Sequence, residues 1–507
     1  MLQKRIFADF KAGIVVFLVA LPLCLGIAMA CKVSLFSGII TGAIGGILVT
    51  IFSGSKFSVS GPAAGLTAIV ISSITQLGSF ELFLAATVVA GFIQIILGMM
   101  KAGTIGNFIP NAVIKGMLAG IGIILIIKQI PHLFGYDKDP EGDEEFIQID
   151  GENSFTELIH MINYITPGAI IIGLVSIGIL IMAERPFYKK DKLLSNLPGP
   201  LLAVAFGILL NIAFKGYANL SIDAQHLVNL PTIQSFSDLQ DNLSFPNFSK
   251  IGTSSFWIIA FTLAIVASLE TLLGIEAIDK IDPEKNESDT NKELIAQGIG
   301  NITTGCIGGL PLTSVIVRSS ANINSGAKSK LSTIIHAILL IACVLFFPFI
   351  LSAIPNACLA AILLLTGLKL TKFSIFKEQW RFGPEQFIPF VMTILIMLLK
   401  DLLWGVSIGI LVAIFFIIRD NIKLSFETSK DIINNQQYFL LKLPQHVTFF
   451  NKGFLIKFLK TVTPNSNIII DCSINKKINR DAKDVIIDFI ENAHKKNITS
   501  ELINFKK

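Results

Sequence analysis

The chain is poor in charge and in the residue patterns that mark catalytic or metal chemistry. Asp, Glu, Lys and Arg make up 15% of its 507 residues, whereas a soluble globular chain carries roughly 25%. That scarcity excludes an ordinary water-soluble domain over most of the length. The six histidines are scattered and no HExxH occurs, which argues against a membrane metalloprotease. There is no GxxxxGK[ST], so ATP-driven transport has no support. Cys24, Cys31, Cys306, Cys343 and Cys358 lie in or beside apolar segments and Cys472 stands alone near the C-terminus. Without a CxxC pair or metal spacing, no disulfide framework and no metal site follow. The net charge of +5 averages over unlike regions and makes no case for a nucleic-acid partner.

What the chain has in abundance is apolar sequence, at 52% of residues. A span of the lipid bilayer needs about 20 apolar residues, and that ruler gives about fourteen segments between Ala12 and the one starting at Leu402. The expectation is an all-α polytopic membrane domain. The N-terminal stretch from Met1 to Lys11 runs into apolar sequence with no small-residue cleavage site, which reads as a retained first span. Lys4, Arg5, Lys11, Lys101, Arg185, Lys189, Lys190, Lys192, Lys328, Lys330, Lys372, Lys377, Arg381, Arg419 and Lys423 fall on one side of that count. By the positive-inside rule that side is cytoplasmic. Both termini are expected inside an inner cell membrane, and the acidic loop from Pro131 to Tyr164, with Asp137, Asp139 and Glu141 to Glu157, outside.

Two of the segments are short: the third, from Gly61 to near Thr75, and the tenth, from Ser314 to near Asn322. Each follows a Pro-containing break, Ser58-Val59-Ser60-Gly61-Pro62 and Gly308-Gly309-Leu310-Pro311-Leu312-Thr313-Ser314, and each is third in a group of seven. Ordinary kinks are the bland reading, since Gly and Pro are frequent in membrane helices. Matching positions in two halves point instead to a transporter whose half-helix ends hold an anion. The glycines from Gly42 to Gly46 and from Gly116 to Gly120 read as close helix packing. Arg318 lies about one turn inside the tenth segment, where it either snorkels to the interface, pairs with a carboxylate or adds positive potential to the anion site. Glu270, deep in the eighth segment, is by default functional and the candidate coupling group. Glu276 and Asp279 read as interfacial.

Beyond Asp420 the composition turns polar. Strands over Tyr438 to Lys442, Asn467 to Asp471 and Ile498 to Phe505, with helices over Lys452 to Val462 and Arg480 to Lys495, predict a small α/β domain. The division expected is 1–420 membrane domain, 421–437 linker and 438–507 cytoplasmic domain.

These motifs resemble the sulfate permease family of anion transporters. The likeness runs from Phe10-Lys11-Ala12-Gly13 through Ala20-Leu21-Pro22, Ser60-Gly61-Pro62, Asn291 to Asn301, Gly308 to Pro311 and Arg318 to Asn322, to Gly326-Ala327-Lys328-Ser329-Lys330-Leu331-Ser332. Most members read Gly-Ala-Arg-Thr in the last motif, where this chain has Gly-Ala-Lys-Ser. The resemblance implies a seven-plus-seven inverted repeat like that of uracil permeases, a homodimer, and a core moving against a gate. It implies an anion at Gly61, Pro62, Ala63 and Thr67 with Ser314, Val315 and Ile316, Arg318 beside them, and Glu270 as the site of H⁺ or Na⁺ coupling. No other cofactor is implied. The C-terminal part looks like a short STAS domain, and Asp471-Cys472-Ser473-Ile474, with Ile in place of Gly, speaks against phosphorylation at Ser473. The expected activity is symport of sulfate or bicarbonate with H⁺ or Na⁺. The alternatives are a nucleobase permease of the same fold, an anion exchanger without cation coupling, and a membrane-anchored signalling protein.

Overall fold

The computed structural model describes residues 2–138, 153–186, 188, 197–217, 219–228, 243–423, 426–433 and 436–504. Asp139 and the acidic residues Glu141 to Glu152, together with Lys189, Lys190 and Lys192, lie outside the described residues. The chain divides into two units, 1–410 and 411–507.

The first unit is helical. In chain order it holds α1 (Leu2–Ala30), α2 (Leu35–Ile44), strand β1 (Ser60–Pro62), α3 (Thr67–Leu77), α4 (Phe80–Met99), α5 (Asn111–Leu133), α6 (Pro167–Glu184), α7 (Gly199–Phe214) and α8 (Ser254–Ile281). There follow α9 (Thr290–Cys306), strand β2 (Leu312–Ser314), α10 (Ile316–Asn324), α11 (Leu331–Phe346), α12 (Asn356–Leu370), α13 (Pro384–Leu399) and the start of α14 (Leu402–Lys423), whose residues from Leu411 on belong to the second unit. Eight helices among the described residues are long and apolar enough to cross a membrane, and four shorter apolar ones accompany them. Polar residues start several: Ser79 accepts from Leu82 N–H at 3.3 Å and Thr253 from Phe256 N–H at 3.4 Å.

Both expected breaks are present, but the short helices begin later than the sequence reading placed them. Ser60–Pro62 and Leu312–Ser314 pair as antiparallel strands, so the helical segments start at Ala64 and Ile316 rather than at Gly61 and Ser314. The glycine-rich stretches do pack helices closely. A Cβ on Gly46 would meet Ala337, and one on Gly116 would meet the Phe390 carbonyl.

The second unit contains a four-stranded sheet ordered β3 (Glu427–Ile433), β4 (Gln436–Lys442), β5 (Asn467–Asp471), β6 (Thr499–Ile503), with the first pair antiparallel and the others parallel. Strand β3 occupies part of the stretch read as a linker. Along β5 Ile468 and Ile470 point inward and form a core with Leu441, with Leu455 of α15 (Lys452–Leu459) and with Ile486 of α16 (Arg480–Ala493). Alternation of period two in β5 and the apolar stripe of α16 are what make these elements pack as sheet and helix. Phe505, the expected end of the last strand, lies outside the described residues.

At the end of α5 a buried carboxylate clamps two loops. Asp137 Oδ1 lies 2.6 Å from His132 Nδ1 and Asp137 Oδ2 lies 2.6 Å from His226 Nδ1. Val228 N–H donates to the Ile354 carbonyl at 3.0 Å, tying the same loop to the start of α12. Burial works against the charge of Asp137, but hydrogen bonds from both imidazoles and their positive charge prevail and hold its carboxyl below the ordinary carboxylate range. A depressed folded value means the stabilisation is present above the unfolded value near about 4 and is lost as the pH falls through the folded one. Asp137→Asn should therefore lower stability at neutral pH by about 1–3 kcal/mol. Thermal unfolding in detergent should show the difference from the unaltered protein shrinking as the pH is taken below about 4.

Candidate functional site

The site is built from the register of the two short strands. Ser60, Gly61 and Pro62 lie opposite Ser314, Thr313 and Leu312. Val315 N–H donates to the Val59 carbonyl at 3.0 Å, and the hydroxyls of Ser58 and Ser314 meet at 2.8 Å. Each strand runs directly into a short helical segment, and the backbone makes the same transition in each. Ala63, before the turn Ala64–Leu66 that leads into α3, has φ −97° and ψ 120°; Val315, before α10, has φ −97° and ψ 117°. Neither residue carries a side-chain oxygen, and neither segment has a side-chain cap. First-turn N–H groups, which Ser or Asp would ordinarily satisfy, are left with their partial positive charge facing forward.

Both helix starts open on one small cleft of about 40 Å³. Pro62, Ala63, Ala64 and Gly65 line one side and Thr313 to Arg318 the other, with Glu270 of α8 between them. Leu23 and Ile27 of α1, Ile121 of α5 and Leu402 of α14 complete an apolar wall. The space suits a small ligand, and polar contacts come mainly from backbone and from two charged side chains.

Those two side chains are seated on glycines of the first break. A Cβ on Gly61 would collide with the Arg318 guanidinium, and a Cβ on Gly65 would collide with Glu270 Oε1. Arg318 is 0% exposed, so it does not snorkel to an interface. Among the described residues it forms no ion pair with a carboxylate, and no oxygen accepts from its nitrogens. It packs against Gly42, beside the Cys24 thiol. A buried guanidinium without a counter-ion is costly, and a ligand anion is the charge that would offset it. Glu270 is 7% exposed, in the same cleft.

Of the residues expected from the sequence, Pro62, Ala63, Ser314, Val315, Ile316, Arg318 and Glu270 line this cleft together. Gly61 does not line it; it faces back onto Arg318. Thr67 opens α3 and is buried, with no partner for Oγ1 among the described residues, and it too lies off the cleft wall. Sequence reasoning missed Ala64, Gly65, Thr313 and Val317, and the wall from α1, α5 and α14. The Gly61-Pro62-Ala63-Ala64-Gly65 spacing was the available signal for Gly65; nothing local marks Ile121 or Leu402.

The sequence profile of the sulfate permease family matches residues 6–393. The putative sulfate transporter YvdB of Bacillus subtilis is 29% identical over 81% of this chain and 73% of its own length. The bicarbonate transporter BicA of Picosynechococcus is 26% identical over 81% of this chain and 70% of its own. Among solved structures, the transmembrane domain of a cyanobacterial BicA aligns with 80% of this chain and 97% of its own length at a TM-score of 0.56 and 23% identity. Murine Solute Carrier 26 family member A9, an anion transporter captured in the inward-facing state, aligns with 99% of this chain and 86% of its own at 0.65 and 17%. At these identities the structures establish a shared fold. The profile match over most of the chain establishes more: the protein belongs to the sulfate permease family.

Proposed function

We propose that the protein is a secondary active transporter that carries a small inorganic anion, sulfate or bicarbonate, together with H⁺ or Na⁺ by alternating access. It acts in the cell membrane as a homodimer with both termini in the cytoplasm. The observation that carries this reading is the pair of uncapped helix starts at Ala63 and Val315, with equal backbone conformation, opening on one cleft. An anion there completes the hydrogen bonding of both first turns at once. Arg318 adds positive charge and Glu270 opposes it, so the net field at the cleft depends on whether Glu270 is neutralised.

That dependence supplies coupling. An ionised Glu270 repels the anion, and binding H⁺ or Na⁺ removes the repulsion. Cation and anion then favour each other's binding by the same factor, as linkage requires. A nucleobase needs side chains that read its edges, and Val315, Ile316 and Val317 offer none. The STAS-like unit is proposed to regulate or stabilise, since Glu270 and both half-helix starts precede it.

Uptake of labelled sulfate and labelled bicarbonate into proteoliposomes, with Na⁺ and pH gradients imposed separately, tests the proposal; absence of uptake of either anion under both gradients would overturn it. Arg318→Gln should raise the half-saturating anion concentration by about tenfold or more while the protein still elutes as a monodisperse dimer. An unchanged value would remove Arg318 from the site. Glu270→Gln, which imitates the neutral form, should preserve anion exchange and abolish accumulation against a gradient; accumulation by that variant would show that coupling lies elsewhere. Truncation after Asn421 should leave measurable transport in protein that inserts, and a folded but inactive truncation would place the C-terminal unit inside the mechanism.

A further inference from the structure

Three polar residues on α4, α8 and α9 make a buried connection that the transport reading above does not use. Asn301 of α9 is 2% exposed and Gln94 of α4 is 0% exposed. Asn301 Oδ1 accepts the Leu312 N–H at 2.7 Å and Asn301 Nδ2 donates to the Leu312 carbonyl at 3.1 Å. Leu312 begins β2, and both of its backbone groups point away from β1. The side-chain amide thus does for Leu312 what a third strand would do. Without it, two backbone groups in the interior of the unit would be orphaned, which is costly where water cannot substitute.

The second Nδ2 hydrogen of Asn301 goes to Gln94 Oε1 at 2.7 Å, and Gln94 Nε2 donates to Ser268 Oγ on α8 at 3.3 Å. Backbone contact between α4 and α9 brings the two amides together. A Cβ on Gly298 would lie 2.6 Å from the Gly91 carbonyl, and one on Gly91 would lie 2.6 Å from the Gly298 carbonyl. On α8, Ser268 precedes Glu270 by two residues, about 200° around the helix. Ser268 therefore faces this connection while Glu270 faces the cleft. One turn before Asn301, Gln297 serves the other strand, donating to Ser60 Oγ at 2.6 Å.

We propose that Asn301 is a positioning residue for the anion site, and that the chain Leu312–Asn301–Gln94–Ser268 ties the start of α10 to the rotational setting of the helix that carries Glu270. The proposal rests on the reading of the cleft as the anion site. Displacement of β2 when an anion caps α10 is thereby passed to α8, so the two binding events sense each other through hydrogen bonds as well as through charge.

The test measures labelled sulfate or bicarbonate, whichever the unaltered protein takes up, in proteoliposomes under exchange and under an imposed cation gradient. Asn301→Ala should raise the half-saturating anion concentration by about tenfold, because β2 loses both bonds at Leu312. Gln94→Leu keeps those bonds and should change that concentration by less than about threefold while lowering gradient-driven accumulation. Thr303→Ala, whose hydroxyl donates only to the Ile299 carbonyl one turn back, should change neither. A half-saturating concentration unchanged by Asn301→Ala, with maximal rate falling only in step with folded protein, overturns the positioning role. Accumulation unchanged by Gln94→Leu overturns the link to α8. If Asn301→Ala does not fold, Asn301→Asp replaces it: the acceptor for Leu312 N–H remains and the Gln94 amide can turn to donate, but oxygen faces oxygen at the Leu312 carbonyl, and the same tenfold criterion decides. Arg318→Gln measured alongside separates the two levels, since loss of its effect would discard the anion site itself, whereas its persistence with an unaffected Asn301 variant discards only this proposal.

Discussion

The pairing of Ser60–Pro62 with Leu312–Ser314 is the constraint on which the rest of the first unit depends. A helix interrupted inside an apolar body exposes backbone N–H and C=O groups that water cannot reach, and these must find partners within the protein. Here two interruptions solve the problem for each other by forming a two-stranded ladder, extended by the Val315 to Val59 bond and by side-chain bonds such as Asn322 Nδ2 to the Phe57 carbonyl at 3.1 Å. The solution leaves one class of group unsatisfied. Because Ala63 and Val315 have no side-chain oxygen to offer, the first turns beyond the ladder lack a side-chain cap, which leaves donors for the anion proposed to bind there.

The same crossing determines where charge can sit. Arg318 lies in the first turn of α10 and folds back behind the ladder, which is possible because Gly61 has no side chain in its way. Glu270 approaches from α8 over Gly65 for the same steric reason. Two glycines four residues apart thus seat a cation and a carboxylate around one cleft. Their opposed signs make the electrostatic potential of the cleft a function of the ionic state of Glu270, which is the physical basis of the coupling proposed for it.

Helix α9 shows how buried polarity is used away from the cleft. Glu293, Gln297 and Asn301 recur every four residues and so share a face. Glu293 accepts from the Ser53 hydroxyl and from Gly54 N–H, Gln297 reaches Ser60, and Asn301 reaches Leu312. Each anchors a non-helical stretch of backbone. Polar side chains in this helix act as substitutes for the secondary structure the broken segments lack, which accounts for its low apolar content beside helices such as α4.

Much of this architecture was legible in the chain itself. Long apolar runs, each sufficient to hide its own backbone hydrogen bonds, specify helices without reference to neighbours, and Pro62 and Pro311 mark where those runs must break. The alternating Ile468 and Ile470 and the apolar face of α16 likewise announce sheet and helix in the second unit. Glu270 and Arg318 stood out because a charge amid apolar sequence is expensive wherever it folds. The position at which each short helix begins was not legible, because Gly61 and Ser314 become strand only when the other strand is present, some 250 residues away. Nor was the direction of Arg318, since its side chain can reach outward or inward and the space behind Gly61 exists only after α2 and α10 pack. The Asp137 clamp, the apolar wall of Ile121 and Leu402 and the bond between Gln94 and Asn301 join residues far apart in sequence whose local surroundings are unexceptional. Periodicity and composition act along the chain, so the sequence by itself determined the helices, their breaks and the rare buried charges; pairing, steric vacancy and hydrogen-bond partnership act across it, and only the tertiary structure decided them.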